Sequence, residues 1–335
     1  MDAVAFFYAS RCSGMKTAFI TGVTGQDGTY MAELLLDKGY CVVGGVRRST
    51  ESSAQLAESL KGQVELVDWD MSSQAEMVRV LRNIRPTEVY NFAAFTSGSG
   101  MYDDPVSTCD VNGLAVVRIL EAIREADLSI RFCQASSREV FGVALESPQT
   151  ETTLRNPRSP YGAAKAFADV MIQIYRQRYG VFASSAILYN HESPLRGLSF
   201  VTRKITHGAV LVKLGISKQL NLGDLDARRD WGYAADYVQA MWLMLQQSKA
   251  DDYVICSGES YSVRDFCECA FTYLGLDYRK YVREDKSFYR PAEPVTLVGC
   301  FKKAKSELGW IPQTGFRELV KKMVDVDLKS MSGKN

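Results

Sequence analysis

The sequence predicts an α/β fold, a doubly wound parallel sheet with a smaller C-terminal α/β part. Three observations carry this. Short apolar runs alternate with amphipathic helical stretches from residue 16 onward, the first run ends in a glycine-rich turn, and the alternation gives way to long polar connections after residue 188. Strands that are apolar throughout are buried on both faces, which is the pattern of a parallel sheet covered by helices.

Residues 16–21 (KTAFIT) read as the first buried strand and residues 27–37 as the helix after it. Further strands are expected at 41–46, 64–67, 88–92 and 131–134, with helices in the gaps. Leu114, Val117, Leu120 and Ile123 keep the spacing of one helix face. Later helices are expected at 233–247, 263–274 and 316–327, and a strand at 253–257. Residues 1–14 are expected to be a disordered extension, 15–188 a dinucleotide-binding domain, and 189–335 a substrate-binding part interleaved with it.

The 335 residues suffice for one large domain or two modest ones. Forty basic and thirty-nine acidic residues leave a net charge of +1, which argues against nucleic acid or an anionic membrane as partner. No apolar run approaches the ~20 residues that span a bilayer, and Asp2 stands where a signal peptide would be basic. A cytoplasmic protein is expected. The eight cysteines are scattered, so reduced thiols are expected, and with His191 and His207 the only histidines no metal site is expected.

The turn is Gly22-Val23-Thr24-Gly25-Gln26-Asp27-Gly28, between the first strand and the first helix. In that position glycines let the backbone approach a pyrophosphate at the helix N-terminus, which makes the sheet Rossmann-type. The cofactor follows from the end of the second strand. An NAD site usually has a carboxylate there, whereas this chain has Arg47, Arg48 and Ser49, which suit the 2′-phosphate of NADP. Asp70 and Met71 follow the third strand and can flank the adenine, and Ala93 follows the fourth.

Tyr161 and Lys165 form a Y-x-x-x-K pair on one helix face. An ammonium near a phenol favours the phenolate, so Lys165 is expected to lower the Tyr161 pKa. Ser137 and Glu139 follow the fifth strand, and in extended chain their side chains point the same way. Ser137 can bond the hydroxyl that Tyr161 deprotonates. A carboxylate at Glu139 is superfluous for hydride transfer alone but is needed to remove a proton beside a new carbonyl. The competing reading of Glu139 is a surface salt bridge with Arg138 or another neighbour.

These residues lie in a chain that resembles the GDP-mannose 4,6-dehydratases of the extended short-chain dehydrogenase/reductase superfamily. The resemblance runs from about Lys16 to Leu328, through TGVTGQDGTY, SPYGAAK, NHESPLRG, FVTRKIT, LGDLDARRDWGYAADYVQAMWLMLQQ and RPAEP. It implies that hydride passes from sugar C4 to NADP⁺ while Tyr161 takes the hydroxyl proton, that Glu139 removes the C5 proton, that water leaves C6, and that hydride returns to C6. Among substrate-binding residues it implies Arg229 and Arg290 near the diphosphate, Asn190 and Lys204 on the nucleotide or its phosphates, Arg196 near the sugar, Glu293 on the nucleoside ribose, and Glu192. The expected partners are a GDP-sugar and a second copy in a homodimer, with a homotetramer as the larger alternative.

Three departures from the family pattern stand out. Ser137 replaces the usual Thr and keeps the hydroxyl. Residues 93–98 read AAFTSG where AAQSHV is common, which keeps a related hexose or a GDP-heptose open beside mannose. The segment after Arg48 lacks the NT-x-R-I-like stretch that joins dimers into tetramers. The rival functions are a GDP-4-keto-6-deoxy sugar reductase or an epimerase of the same fold, and an NADP-binding scaffold without activity.

Overall fold

The structure, a computed structural model, describes residues 14–47, 52–95, 102–285, 287, 295 and 297–333. Most of the 1–14 extension, Arg48, Ser49, the end of the loop at 93–98, Arg290 and Glu293 lie outside the described residues.

In the first half, strand β1 (Thr17–Thr21) leads to helix α1 (Gln26–Asp37), then β2 (Cys41–Val46), β3 (Glu65–Asp68), α2 (Gln74–Ile84) and β4 (Glu88–Asn91). Next come α3 (Pro105–Cys109), a π-turn at Asp110–Leu114, α4 (Ala115–Ala126), β5 (Arg131–Ala135), the long helix α5 (Pro160–Tyr179) and β6 (Ala183–Leu188). Local chemistry explains the boundaries. The Ser73 hydroxyl caps α2 by accepting from Glu76 N, and that of Ser159 caps α5 by accepting from Gly162 N. Pro160 fits the first turn of α5, and Gly180, at φ 69°, ends it in the left-handed region.

The second half opens with β7 (Asn190–Glu192), α6 (Val201–Lys213), β8 (Leu220–Leu222), β9 (Arg228–Arg229), β10 (Trp231–Tyr233) and α7 (Ala234–Gln246). It ends with β11 (Tyr253–Ile255), β12 (Tyr261–Ser262), α8 (Val263–Tyr273), β13 (Val282–Glu284), α9 (Lys302–Leu308) and α10 (Phe316–Ser332). One seven-stranded parallel sheet runs in the order β11-β6-β5-β4-β1-β2-β3. β1 therefore pairs with β2 on one side (Thr21↔Gly45) and β4 on the other (Thr21↔Asn91). The winding reverses between β1 and β4, and a cleft opens beyond the strand ends at such a reversal.

Helices α1 and α7 cover one face of the sheet through Met31, Leu35, Met241 and Met244. Helices α2, α4 and α5 cover the other through Met77, Ile119, Ile123 and Ile172. A separate core joins α6, α8 and α10 around Trp231, Phe266 and Phe271, with Tyr261 stacked on Phe316 at 3.9 Å. Three two-stranded pairs (β7 with β10, β8 with β13, β9 with β12) lie outside the main sheet, and Leu222 of β8 and Val282 of β13 join this core. Cys109, Cys133, Cys256, Cys267, Cys269 and Cys300 are free thiols, but Cys41 is in a disulfide, which departs from the expectation of reduced thiols throughout. Among the described residues no helix is long and apolar enough to cross a membrane.

Candidate functional site

The turn after β1 is held by close backbone approach. Gly22 has φ 68°, and a Cβ on it would lie 2.9 Å from Ala93 N. A Cβ on Gly28 would lie 2.3 Å from Gly22 O and 2.6 Å from Val23 Cα. Hydrogen-only side chains let the turn, the loop after β4 and α1 meet. Gly25 is the N-cap of α1 and supplies no side-chain cap, which leaves N–H groups of the helix start for an anion. The cradle fits a dinucleotide pyrophosphate.

A buried polar row ties the strand ends together beneath this turn. Ala93 N donates to Thr21 Oγ1 (3.1 Å), Thr21 Oγ1 to Asn91 Oδ1, Asn91 Nδ2 to Gln134 Oε1 (2.7 Å) and Gln134 Nε2 to Ala135 O (2.7 Å). Thr21, Asn91 and Gln134 are fully buried, and each satisfies its neighbour. The same Ala135 carbonyl accepts from Lys165 Nζ at 2.8 Å. The row therefore runs from the glycine-rich turn to helix α5. Sequence reading passed over Asn91 and Gln134, because polar residues inside apolar strands carry no motif.

The structure brings Ser137, Glu139, Tyr161 and Lys165 together, by a route different from the expected one. Residues Arg138–Val140 form a 3-10 turn capped by the Ser137 hydroxyl, so extended-chain alternation does not orient Glu139. The Ser137 hydroxyl still bonds Tyr161, and the Glu139 charge still reaches Tyr161. Glu139 also pairs with Arg138 at 2.7 Å, the partner named in the competing reading, but Arg138 is buried and the pair is not a surface one; Arg138 Nε donates to Asn190 Oδ1 at 3.2 Å.

Burial is the largest influence on Tyr161 and pushes its hydroxyl up to about 12. Ser137 and Arg196 act to lower it, and Glu139 and Asp27 to raise it. Lys165 Nζ lies 5.7 Å from the Tyr161 ring centre and donates to the backbone. Burial pushes Lys165 down to about 8, and the nearby Asp169 charge opposes that. The expected lowering of Tyr161 by Lys165 is not what the structure shows: desolvation raises Tyr161, and the groups that lower it are Ser137 and Arg196.

Gln26 and Asp27, expected on the cofactor, also form a joint with the segment after β6. His191 donates through Nδ1 to Tyr189 O (2.7 Å) and through Nε2 to Asp27 Oδ2 (2.9 Å). Two acceptors require both ring nitrogens to carry protons, so the imidazolium is the matched form. The Asp27 charge raises His191 against burial, and the His191 charge and hydrogen bond lower Asp27 against burial. Gln26 Nε2 donates to His191 O (3.1 Å), and Ser193 Oγ donates to Gln26 Oε1 (2.7 Å). His191 and Ser193 lie in the NHES block, so the signal that marks them is their place beside Asn190 and Glu192.

The other expected residues are more dispersed. Arg47 is exposed at the end of β2. Asp70 turns back to Ser72 N and Oγ, and Met71 is buried, its sulfur accepting from Trp69 Nε1. Glu192 is 2 % exposed, with its carboxylate engaged by Thr202 Oγ1 (2.6 Å) and Arg196 Nε (3.3 Å), so it supports Arg196 from below. The Arg196 guanidinium lies 3.6 Å from the Phe200 ring centre. Lys204 is exposed on α6, and Arg229 Nη1 donates to Arg228 O. Next to it, the buried Asp230 accepts from Ser257 N, Gly258 N and Gly299 N, which fixes the loop after β11.

A doubly wound sheet with a dinucleotide turn and a Ser–Tyr–Lys cluster at its strand ends defines the short-chain dehydrogenase/reductase class. The family model for GDP-mannose 4,6 dehydratase matches residues 19–323, and GDP-mannose 4,6 dehydratase 1 of Arabidopsis thaliana is 45 % identical over 326 residues, covering 94 % of this chain and 90 % of its own. The chain belongs to the GDP-mannose 4,6-dehydratase family and is a lyase that dehydrates GDP-mannose. The GDP-mannose 4,6 dehydratase of Homo sapiens is 42 % identical over 343 residues, covering 94 % of this chain and 92 % of its own. In fold, the chain is similar to a dTDP-glucose 4,6-dehydratase from Bacillus anthracis solved in complex with NAD, at TM-score 0.81 and 20 % identity over 95 % of this chain and 98 % of that one.

Proposed function

We propose that the chain converts GDP-mannose to GDP-4-keto-6-deoxymannose with NADP, through Ser137, Glu139, Tyr161 and Lys165. The observation that carries this reading is a carboxylate, Glu139, within electrostatic reach of the redox tyrosine and anchored by Arg138. A bound nicotinamide would accept hydride from C4 and return it to C6.

Tyr161 Oη takes the C4 hydroxyl proton, steadied by the bond from Ser137. With its own proton held up to about 12 by burial, Tyr161 acts as a base with help from the hydroxyl of Ser137 and the positive charge of Arg196, which both lower it. The C4 ketone makes the C5 proton acidic, and Glu139 removes it. The C5 electron pair forms the C5–C6 double bond, and the C6 hydroxyl takes the proton from the Glu139 carboxyl and leaves as water. Hydride at C6 and a proton at C5 complete the 6-deoxy sugar.

NADP is favoured over NAD by the exposed Arg47 and by Arg48 and Ser49 beside it, with Asp70 engaged by its own turn. Asn190, Lys204, Arg229, Arg290 and Glu293 are assigned to the GDP portion, and Arg196 to the sugar. A homodimer is part of this reading. Its support is an apolar stripe on α5, where Phe167, Val170 and Ile174 are each exposed at helical spacing.

The test is incubation of the parent and Glu139→Gln with GDP-mannose and NADP⁺, read by product mass. The parent should show loss of water without net cofactor reduction, and Glu139→Gln should not. Formation of dehydrated product by Glu139→Gln at the parent rate overturns the role of Glu139.

A further inference from the structure

Helix α5 carries a third ionisable residue in line with the pair already described. Tyr161, Lys165 and Asp169 recur every four residues and share one face. Asp169 is fully buried. Its carboxylate accepts from Ser136 Oγ (2.9 Å) and Ser185 Oγ, and Arg155 Nε lies 3.5 Å from it.

Ser136 sits between two functional atoms. On one side is the Ala135 carbonyl, which holds Lys165 Nζ. On the other is Ser137, whose hydroxyl bonds Tyr161. A bond from Ser136 to Asp169 therefore clamps this three-residue segment to the helix that carries Tyr161 and Lys165. The Ser185 bond adds β6 to the same clamp. We propose that Asp169 is a positioning residue for the oxidation step: it fixes the end of β5 against α5 and sets the charge of Lys165.

The charged groups facing Asp169 are Lys165 on its own helix, Arg155 before α5, and Asp252 before β11. Asp252 is itself paired with Arg176, and burial is the largest influence on Asp169, pushing it up to about 6. At neutral pH it is ionised and opposes the loss of the Lys165 proton, which burial has brought down to about 8. Without the Asp169 charge, the interaction that opposes burial is gone, and Lys165 loses its proton at lower pH.

The proposal rests on the assignment of Tyr161 and Lys165 above, and the experiment separates the two. The pH profile of kcat with GDP-mannose is measured for the parent, Lys165→Arg, Asp169→Asn, Asp169→Glu and Ser136→Ala. If Lys165 acts as assigned, the parent has an alkaline limb that Lys165→Arg removes; survival of the limb in Lys165→Arg overturns that assignment and the proposal with it. With the limb established, Asp169→Asn should lower kcat by ~10-fold or more, leave KM within about twofold, and move the limb down by ~1 pH unit. Asp169→Glu should restore the limb. A folded Asp169→Asn with the parental limb overturns the proposal, whatever its kcat. If Asp169→Asn does not fold, Ser136→Ala decides, because it keeps the charge and loosens the clamp. It should lower kcat with the limb unmoved, and a parental kcat overturns the proposal.

Discussion

Replacing His191 with Asn removes the cation of the joint and leaves Asp27 with its bond from Gln26 alone. The His191 and Asp27 side chains are 12 % and 20 % exposed, so the lost contact is a mostly desolvated, charge-assisted hydrogen bond. Such a bond contributes ~2–3 kcal/mol. Unfolding entropy of ~2.1 cal/mol/K per residue over 335 residues gives ~0.7 kcal/mol/K. The expected fall in Tm is then ~3–4 °C. The pH window follows from the shifts. His191 is raised from 6.5, so its contribution is complete below 6.5 and lost as pH rises through the raised value. Asp27 is lowered from 3.8, so its contribution is complete above 3.8 and lost as pH falls through the lowered value. Parent and variant should differ most between those limits and converge above the raised His191 value. Scanning calorimetry of the cofactor-free proteins across that range measures this. A variant with parental Tm at pH 6, or an offset that persists unchanged at alkaline pH, refutes the reasoning.

Gly28→Ala places a Cβ against Gly22 O and Val23, and should weaken NADP binding by ~10-fold or more with the far-UV spectrum unchanged; titration calorimetry at parental affinity would contradict the cradle. Arg47→Ala should raise the dissociation constant for NADP by ~10-fold and leave that for NAD nearly unchanged, and equal effects on both would remove Arg47 from the 2′-phosphate. Phe271→Ala opens a cavity in the core of α6, α8 and α10, which costs ~3–5 kcal/mol or ~4–7 °C in Tm, and a smaller shift in thermal melting would mean the site collapses.

Legibility followed locality. β1, β2 and β4 were readable because their apolar runs are continuous, and the turn and the Tyr161/Lys165 pair because fixed short spacings survive folding unchanged. β6 was not read as a strand: Ser184 and Ser185 interrupt its apolar run, although all six of its residues are buried. Those serines belong there because Ser185 reaches Asp169, a partner 16 positions earlier in sequence. β11 was expected within the C-terminal part, yet it pairs with β6 at the edge of the main sheet (Tyr253↔Ala186), and no local pattern encodes which strand a distant segment joins. Glu139 was half legible: its ion pair with Arg138 was open from adjacency, but the 3-10 turn that aims it was not.

The sorting of residues into cofactor and substrate groups is where local reading had least to work with. Gln26 and Asp27 fall in the nucleotide turn and His191 and Ser193 in the later segment, 164 or more positions away, and each looks complete within its own motif. In space they form one hydrogen-bonded joint. Under the proposed reaction this has a consequence that neither motif implies. The sugar must present C4 to the nicotinamide for oxidation and then C6 for reduction, so the segment that holds the GDP-sugar must keep its register with the turn that holds the cofactor. Asn190 is positioned by Arg138, which also anchors Glu139, and the adjacent His191 is bound to Asp27 at the first turn of α1. Cofactor turn, base and substrate segment are thus linked through two adjacent residues, and a change at His191 should disturb both hydride transfers together, where a change at Glu139 disturbs only the elimination between them.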